Sequence, residues 1–132
     1  MDNKKVENKE GCSCGCGTAP KIIYPCSGSA DVGEIADRAA RKLTKDGVGK
    51  MSCLAGIGGG ISGLLAVADC ASAILVIDGC PQNCAKKTLE KAGYMEFKHI
   101  MLSDMGMAKG KTPVNEENIA SVTEKGEELL IS

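Results

Sequence analysis

The sequence predicts an α/β fold: a single three-layer domain with a four-stranded, mainly parallel sheet and helices on both faces. Short apolar runs of strand length alternate with segments whose apolar residues recur at helical spacing, in the order β-α-β-α-β-α-β-α. That alternation is the signature of parallel strands joined by crossover helices. The third run, Ala73-Ile74-Leu75-Val76-Ile77, is apolar without a break, as expected of a parallel strand covered on both faces. A chain of 132 residues is one domain by length and buries about two-thirds of its unfolded surface.

Taken in order, residues 1–19 read as a flexible cysteine-rich tail, charged at first and then Gly11-Cys12-Ser13-Cys14-Gly15-Cys16-Gly17, with no periodicity that could bury a face. The α/β domain spans residues 20–132. Lys21-Ile22-Ile23-Tyr24-Pro25 is the first strand, closed by Cys26. From Asp31 to Thr44, Val32, Ile35, Ala36, Ala39, Ala40 and Leu43 mark a helical stripe; Asp31 with Glu34 suggests a capping box, and Gly47 ends the helix. Val48 to Ser52 is the second strand, followed by Cys53. Ile61, Leu64, Leu65 and Ala68 form a second, short helix opened by the glycines from Gly56 to Gly60, which weaken it.

After the third strand come Asp78, Gly79, Cys80 and Cys84. Pro81 fits the first position of a helix, which puts Cys80 at its N-cap, where unpaired N–H groups and the positive dipole end favour a thiolate. Ala85, Leu89 and Ala92 supply the buried stripe and Gly93 the stop. Met95 to Leu102 reads as the fourth strand, and Thr112-Pro113 opens a last helix carrying Ile119, Val122, Leu129 and Leu130. The strand order 2-1-3-4 is preferred because it sets the ends of the first three strands side by side; 3-2-1-4 is the alternative.

Composition narrows the function. Hydrophobic residues make up 43% and charged residues 25%, while aromatics are only 2%, so the core rests on Ile, Leu, Val, Ala and Met. Net charge is −1, with basic residues dispersed among acidic ones, which gives no electrostatic footprint or stacking platform for nucleic acid. The first ten residues are polar, and no apolar run approaches the ~20 residues that span a bilayer. The expected setting is therefore cytoplasmic, without nucleic-acid or membrane partners. Eight cysteines in a reducing compartment point to metal ligands or redox thiols in preference to a disulfide framework.

Cys26, Cys53, Cys80 and Cys84 all follow strand-like runs, at the carboxyl edge where open α/β sheets place their ligands. Zinc bound by four sulfurs at ~2.3 Å needs them roughly 3.8 Å apart. Neighbouring strands are ~4.8 Å apart, so flanking strand ends are about 10 Å apart and the loops carrying Cys26 and Cys53 must fold inward. The three residues between Cys80 and Cys84 suit a chelating pair.

Tyr24-Pro25-Cys26-Ser27-Gly28, Asp31-Val32-Gly33-Glu34-Ile35-Ala36, Met51-Ser52-Cys53 and above all Ile77-Asp78-Gly79-Cys80 with Cys84 resemble the DGC-domain family, over roughly residues 20–130. The resemblance implies a zinc-binding protein with Cys26, Cys53, Cys80 and Cys84 as its ligands. It implies no settled biochemical role. Three functional expectations stay open: a zinc site for metal handling or sensing; a redox protein or enzyme in which Cys80 reacts and Cys84 or Cys26 resolves it; and an iron–sulfur cluster on the same ligands.

Other signals are weaker. Gly58 to Gly63 matches G-x-G-x-x-G, but a dinucleotide fingerprint turns directly out of its strand, and Cys53 to Ile57 intervene. His99, mid-strand, is expected to be packed or at the surface. Met101, Met105 and Met107 are gap fillers before they are copper ligands. Asp78 and Asp104 both end strands at the same edge, where either can orient a ligand or bind N–H groups in a turn; the ligand-orienting role is preferred for Asp78. Cys70 reads as a small core residue, and Cys12, Cys14 and Cys16 as either a soft-ion trap or an unbound tail.

Overall fold

The computed structural model describes residues 19–131. The expected tail with Cys12, Cys14 and Cys16 lies, through residue 18, outside the described residues. Four strands, β1 (Lys21–Pro25), β2 (Lys50–Met51), β3 (Ala73–Asp78) and β4 (Lys98–Met101), form one sheet. Its order is β2-β1-β3-β4 and every pairing is parallel. The helices are α1 (Asp31–Lys45), α2 (Leu54–Gly58), α3 (Ser62–Asp69), α4 (Cys84–Lys91) and α5 (Glu116–Ile131), and a 3₁₀ turn, Leu102–Met105, follows β4. The expected α/β fold and strand order are both observed.

Strand alternation divides the core in two. Ile23, Leu75, Ile77 and Ile100 face one side, where Val32, Ile35, Ala36, Ala39, Ala40 and Leu43 of α1 meet Ile119, Val122 and Leu130 of α5. Ile22, Tyr24, Ile74 and Val76 face the other, against Ile57, Ala68, Ala85, Leu89 and Tyr94. Each fully buried aliphatic side chain contributes about 1.5–3 kcal/mol, so the α1 stripe, no member more than 2% exposed, anchors the first face. Met107 is buried in that cluster and Met105 packs on it, as gap fillers. Both tyrosines join the second face, so its core is less purely aliphatic than composition suggested.

Several boundaries move, each for a local reason. The short helix expected after the glycines is α3, and a further helix, α2, precedes it, set off by the turn through Gly60 at φ +70°. Ile61 is left 53% exposed. β2 is short because, after Ser52 N–H bonds the Ile23 carbonyl at 3.0 Å, the chain turns into α2. β4 starts at Lys98, not Met95: Tyr94 N–H bonds the Leu89 carbonyl at 2.9 Å, and its hydroxyl reaches Asp69 Oδ1 at 2.8 Å. Residues 94–97 therefore lie across α3 and α4, and Ala92 caps α4 instead of packing.

α5 starts at Glu116, where Asn115 Oδ1 accepts the Asn118 N–H at 2.8 Å. Thr112 belongs to the preceding loop, which Asp31 ties down by accepting the N–H groups of Gly110 at 2.9 Å and Thr112 at 3.1 Å. Asp31 is thus the first residue of α1, with Ala30 at the N-cap, and no capping box forms.

Candidate functional site

Cys26 extends β1 by one residue, its N–H bonding the Ile77 carbonyl at 2.8 Å. It is half-buried and packs against both core clusters. The chain then turns at Ser27, φ +53°. Ser27 Oγ donates to Asp37 Oδ1 at 2.7 Å, and the other oxygen of Asp37 accepts Arg41 Nε at 2.6 Å. Gly28 lies so close to Gly33 that a side chain at Gly33 would overlap the Gly28 carbonyl. The Cys26 loop is therefore braced on α1.

At the end of β3, Gly79 presses on α1: a Cβ there would stand 2.9 Å from the carbonyl carbon and oxygen of Val32. Asp78 is 1% exposed, and its carboxylate gathers three bonds. Oδ1 accepts Ala85 N–H at 2.8 Å, and Oδ2 accepts Lys86 N–H at 3.0 Å and meets His99 Nε2 at 2.9 Å. The N-cap of α4 is Asn83, in the left-handed conformation at φ 57° and without a side-chain cap bond. Asp78 caps the helix from the strand end instead.

This corrects the expected place of Cys80. Asn83 N–H bonds the Cys80 carbonyl at 3.2 Å, so Cys80-Pro81-Gln82-Asn83 is a turn with Pro81 at its second position, which suits proline as well as a helix start does. Cys84, not Cys80, stands at the head of α4.

Cys26, Cys80 and Cys84 line one cavity of about 200 Å³, together with Asp78, Gln82, Lys109 and the first turn of α1. Cys53 is exposed at the N-cap of α2. It lines a neighbouring cleft of about 510 Å³ with Met51, Arg41 and Thr88, and Cys26 forms a wall of both spaces. All four are free thiols. Three of the four expected ligands thus share one cavity and the fourth stands next door. Among the described residues, no three Cys, His, Asp or Glu side chains are gathered closely enough to hold a metal ion as they stand.

Burial raises the pKa of Cys26 above the usual thiol value; the backbone groups of Gly28 and Gly79 oppose this, and the negative charges of Asp78 and Cys84 add to it. Cys70 is half-buried at the end of α3 instead of in the core, and is not among the free thiols. Asp104 is exposed in the 3₁₀ turn and does not line the cavity. The glycines from Gly58 to Gly63 start at the end of α2, not at a strand end, so the dinucleotide geometry is not formed.

Sequence reasoning missed His99. Its partner on β3 in register is Val76, which puts its side chain on the α4 side of the sheet with Asp78. Phe97 packs against the ring edge-on at 6.3 Å between centroids. The signal was the place of His99 on an alternating strand, which fixes a face only once the register is known.

A family model described as the DGC domain matches residues 22–125. The chain belongs to the DGC-domain family. A further DGC-domain relative is the Anaerobic and virulence modulator AnvM of Pseudomonas aeruginosa, 35% identical over 88 residues, which cover 67% of each chain. No solved structure matches. The motif that names the family, Asp78-Gly79-Cys80, is here the end of β3: the carboxylate caps α4, the glycine allows close approach to α1, and the cysteine enters the cavity. Among the described residues no helix is long and apolar enough to cross a membrane.

Proposed function

We propose that this DGC-domain protein is a small cytoplasmic metal-binding module. It takes one zinc ion on Cys26, Cys53, Cys80 and Cys84 and serves metal handling or sensing. The observation that carries this reading is the meeting of Cys26, Cys80 and Cys84 around one cavity, with Cys53 across the shared wall formed by Cys26. Soft sulfur donors in this number suit zinc. Cys26, Cys80 and Cys84 face one space but are not yet gathered at ligand distance, so binding would draw their side chains together and bring Cys53 with α2 toward them. Four thiolates fill the coordination of zinc and leave no position for a hydrolytic water, so the site is one of binding and response.

A thiol redox role is the second reading, favoured by the exposure of Cys84 and its place in one cavity with Cys26. The name of the Pseudomonas aeruginosa relative, Anaerobic and virulence modulator AnvM, is compatible with thiols that answer to oxygen. Anaerobic purification with metal analysis and an absorption spectrum separates the readings. The expected result is a colourless protein with about one zinc per chain, and Cys→Ser changes at Cys26, Cys53, Cys80 or Cys84 each lowering retention. Brown, iron-containing protein would sink the zinc reading in favour of a cluster on the same ligands. Metal-free protein with a thiol reactive near neutral pH would replace zinc binding by redox chemistry.

A further inference from the structure

The loop from Gly79 to Cys84 carries two of the proposed ligands, and both of its ends are tied to one side chain. Asp78 precedes the loop in the chain, and its carboxylate also holds the first N–H groups after it, those of Ala85 at 2.8 Å and Lys86 at 3.0 Å. Cys80 and Cys84 both lie inside this closure, so the orientation of the carboxylate bears on the separation of their sulfurs. The carboxylate is itself held from the neighbouring strand. His99 Nε2 lies 2.9 Å from Oδ2, and its ring is backed by Phe97. Asp78 is 1% exposed while His99 retains 21% side-chain exposure, so the histidine spans from the buried carboxylate toward the surface.

We propose that Asp78 and His99 act together as positioning residues for the thiol site: Asp78 closes the Cys80–Cys84 loop, and His99 on β4 fixes the carboxylate that closes it. This rests on the reading of Cys80 and Cys84 as ligands and goes beyond it, because it gives a strand that bears no cysteine control over their geometry. A helix cap alone would need only the bonds to Ala85 and Lys86. The third bond, from His99, adds nothing to the cap's own donors and reinforces the orientation that those two bonds set. Partners of this kind, which orient ligands without touching the metal, typically change metal affinity about 10- to 100-fold when lost.

The test compares the full chain with H99L, H99Q and D78N. H99L keeps both helix-capping donors and removes the brace, whereas the amide of H99Q can still donate to Asp78. Zinc affinity is measured by competition with a chelator, and ligand geometry by the spectrum of the cobalt(II)-substituted protein. In the metal-free protein, the alkylation rate of Cys84 by iodoacetamide is followed by peptide mass analysis. The expected result is an affinity loss of about 10- to 100-fold in H99L and D78N, with an altered cobalt spectrum, faster Cys84 alkylation in H99L, and recovery of most of the loss in H99Q. A folded H99L with wild-type affinity, spectrum and alkylation rate would overturn the proposal. If wild type takes up no metal, the zinc reading alone falls, and the alkylation comparison still decides the positioning role. If D78N fails to fold, H99L decides it.

Discussion

Cys80 and Cys84 stand on a loop tied at both ends to a buried carboxylate, whereas Cys53 stands at the head of a five-residue helix that has no side-chain cap. Cys26 belongs with the first pair: the strand pairing, the Ser27–Asp37 bond and the contact of Gly28 with Gly33 hold its loop. On the Cys53 side only Gly56 and Ile57 of α2 are buried, and the strand that delivers the chain is two residues long. One side of the site is thus held by side-chain bonds and close backbone packing, and the other by a two-residue strand and two buried residues of α2. The contrast locates adjustability: a ligand that needs all four sulfurs would draw most on α2, with smaller side-chain movements at Cys26, Cys80 and Cys84.

The contrast can be broken first at Gly79. Its missing side chain lets the end of β3 press on Val32 backbone, which cannot yield as a flexible side chain can. Gly79→Ala is expected to cost about 2–3 kcal/mol of stability by overpacking, measured by urea unfolding of the metal-free protein. A loss below about 0.5 kcal/mol, the range of ordinary surface changes, would mean that the fixed side is not tightly seated.

The second prediction concerns the adjustable side. In hydrogen exchange of the metal-free protein, the amides of α2 should exchange at least about tenfold faster than those at the start of α4, since few buried contacts oppose local opening. Zinc should slow them selectively. Equal protection of α2 and α4 before zinc would erase the distinction between the two sides.

The smallest effect is expected at Asp31, which joins α1 to the loop carrying Lys109. Backbone N–H groups of Gly110 and Thr112 hold its carboxyl below the usual carboxylate range. With the folded pKa below the unfolded one, the contribution is present above the ordinary carboxyl value of about 3.9 and is lost as pH falls through the lowered folded value. The difference in thermal midpoint between wild type and Asp31→Asn should therefore hold steady from about pH 7 to 5 and narrow below about pH 4. A difference unchanged down to pH 2 would show that this tie does not anchor the loop.

How far the chain announces this arrangement depends on the range of the interactions. The α1 face is legible because six apolar residues repeat at helical spacing and all reach the core. The strand order follows from asking which arrangement brings cysteine-bearing ends together. Pro81 misleads because its fixed φ serves the second position of a turn as well as the first turn of a helix, and only the bond from Asn83 to the Cys80 carbonyl distinguishes them. The Asp78–His99 pair depends on the offset between β3 and β4, a long-range quantity that alternation alone does not encode. The position of Cys53 outside the shared cavity likewise follows from where the chain turns after a strand too short to leave a pattern.

The brevity of β2 has a separate consequence. An edge strand offers its unpaired backbone groups to any other extended chain, and long flat edges invite sheet-to-sheet aggregation. Here that edge is two residues long, with Lys50 exposed on it, and the opposite edge, β4, starts at exposed Lys98 and breaks into a 3₁₀ turn after Met101. Each border of the sheet offers a docking chain little length and a charge that resists desolvation. A domain that keeps four thiols at one end of its sheet thereby limits the lateral pairing that would bring the cysteines of separate molecules together.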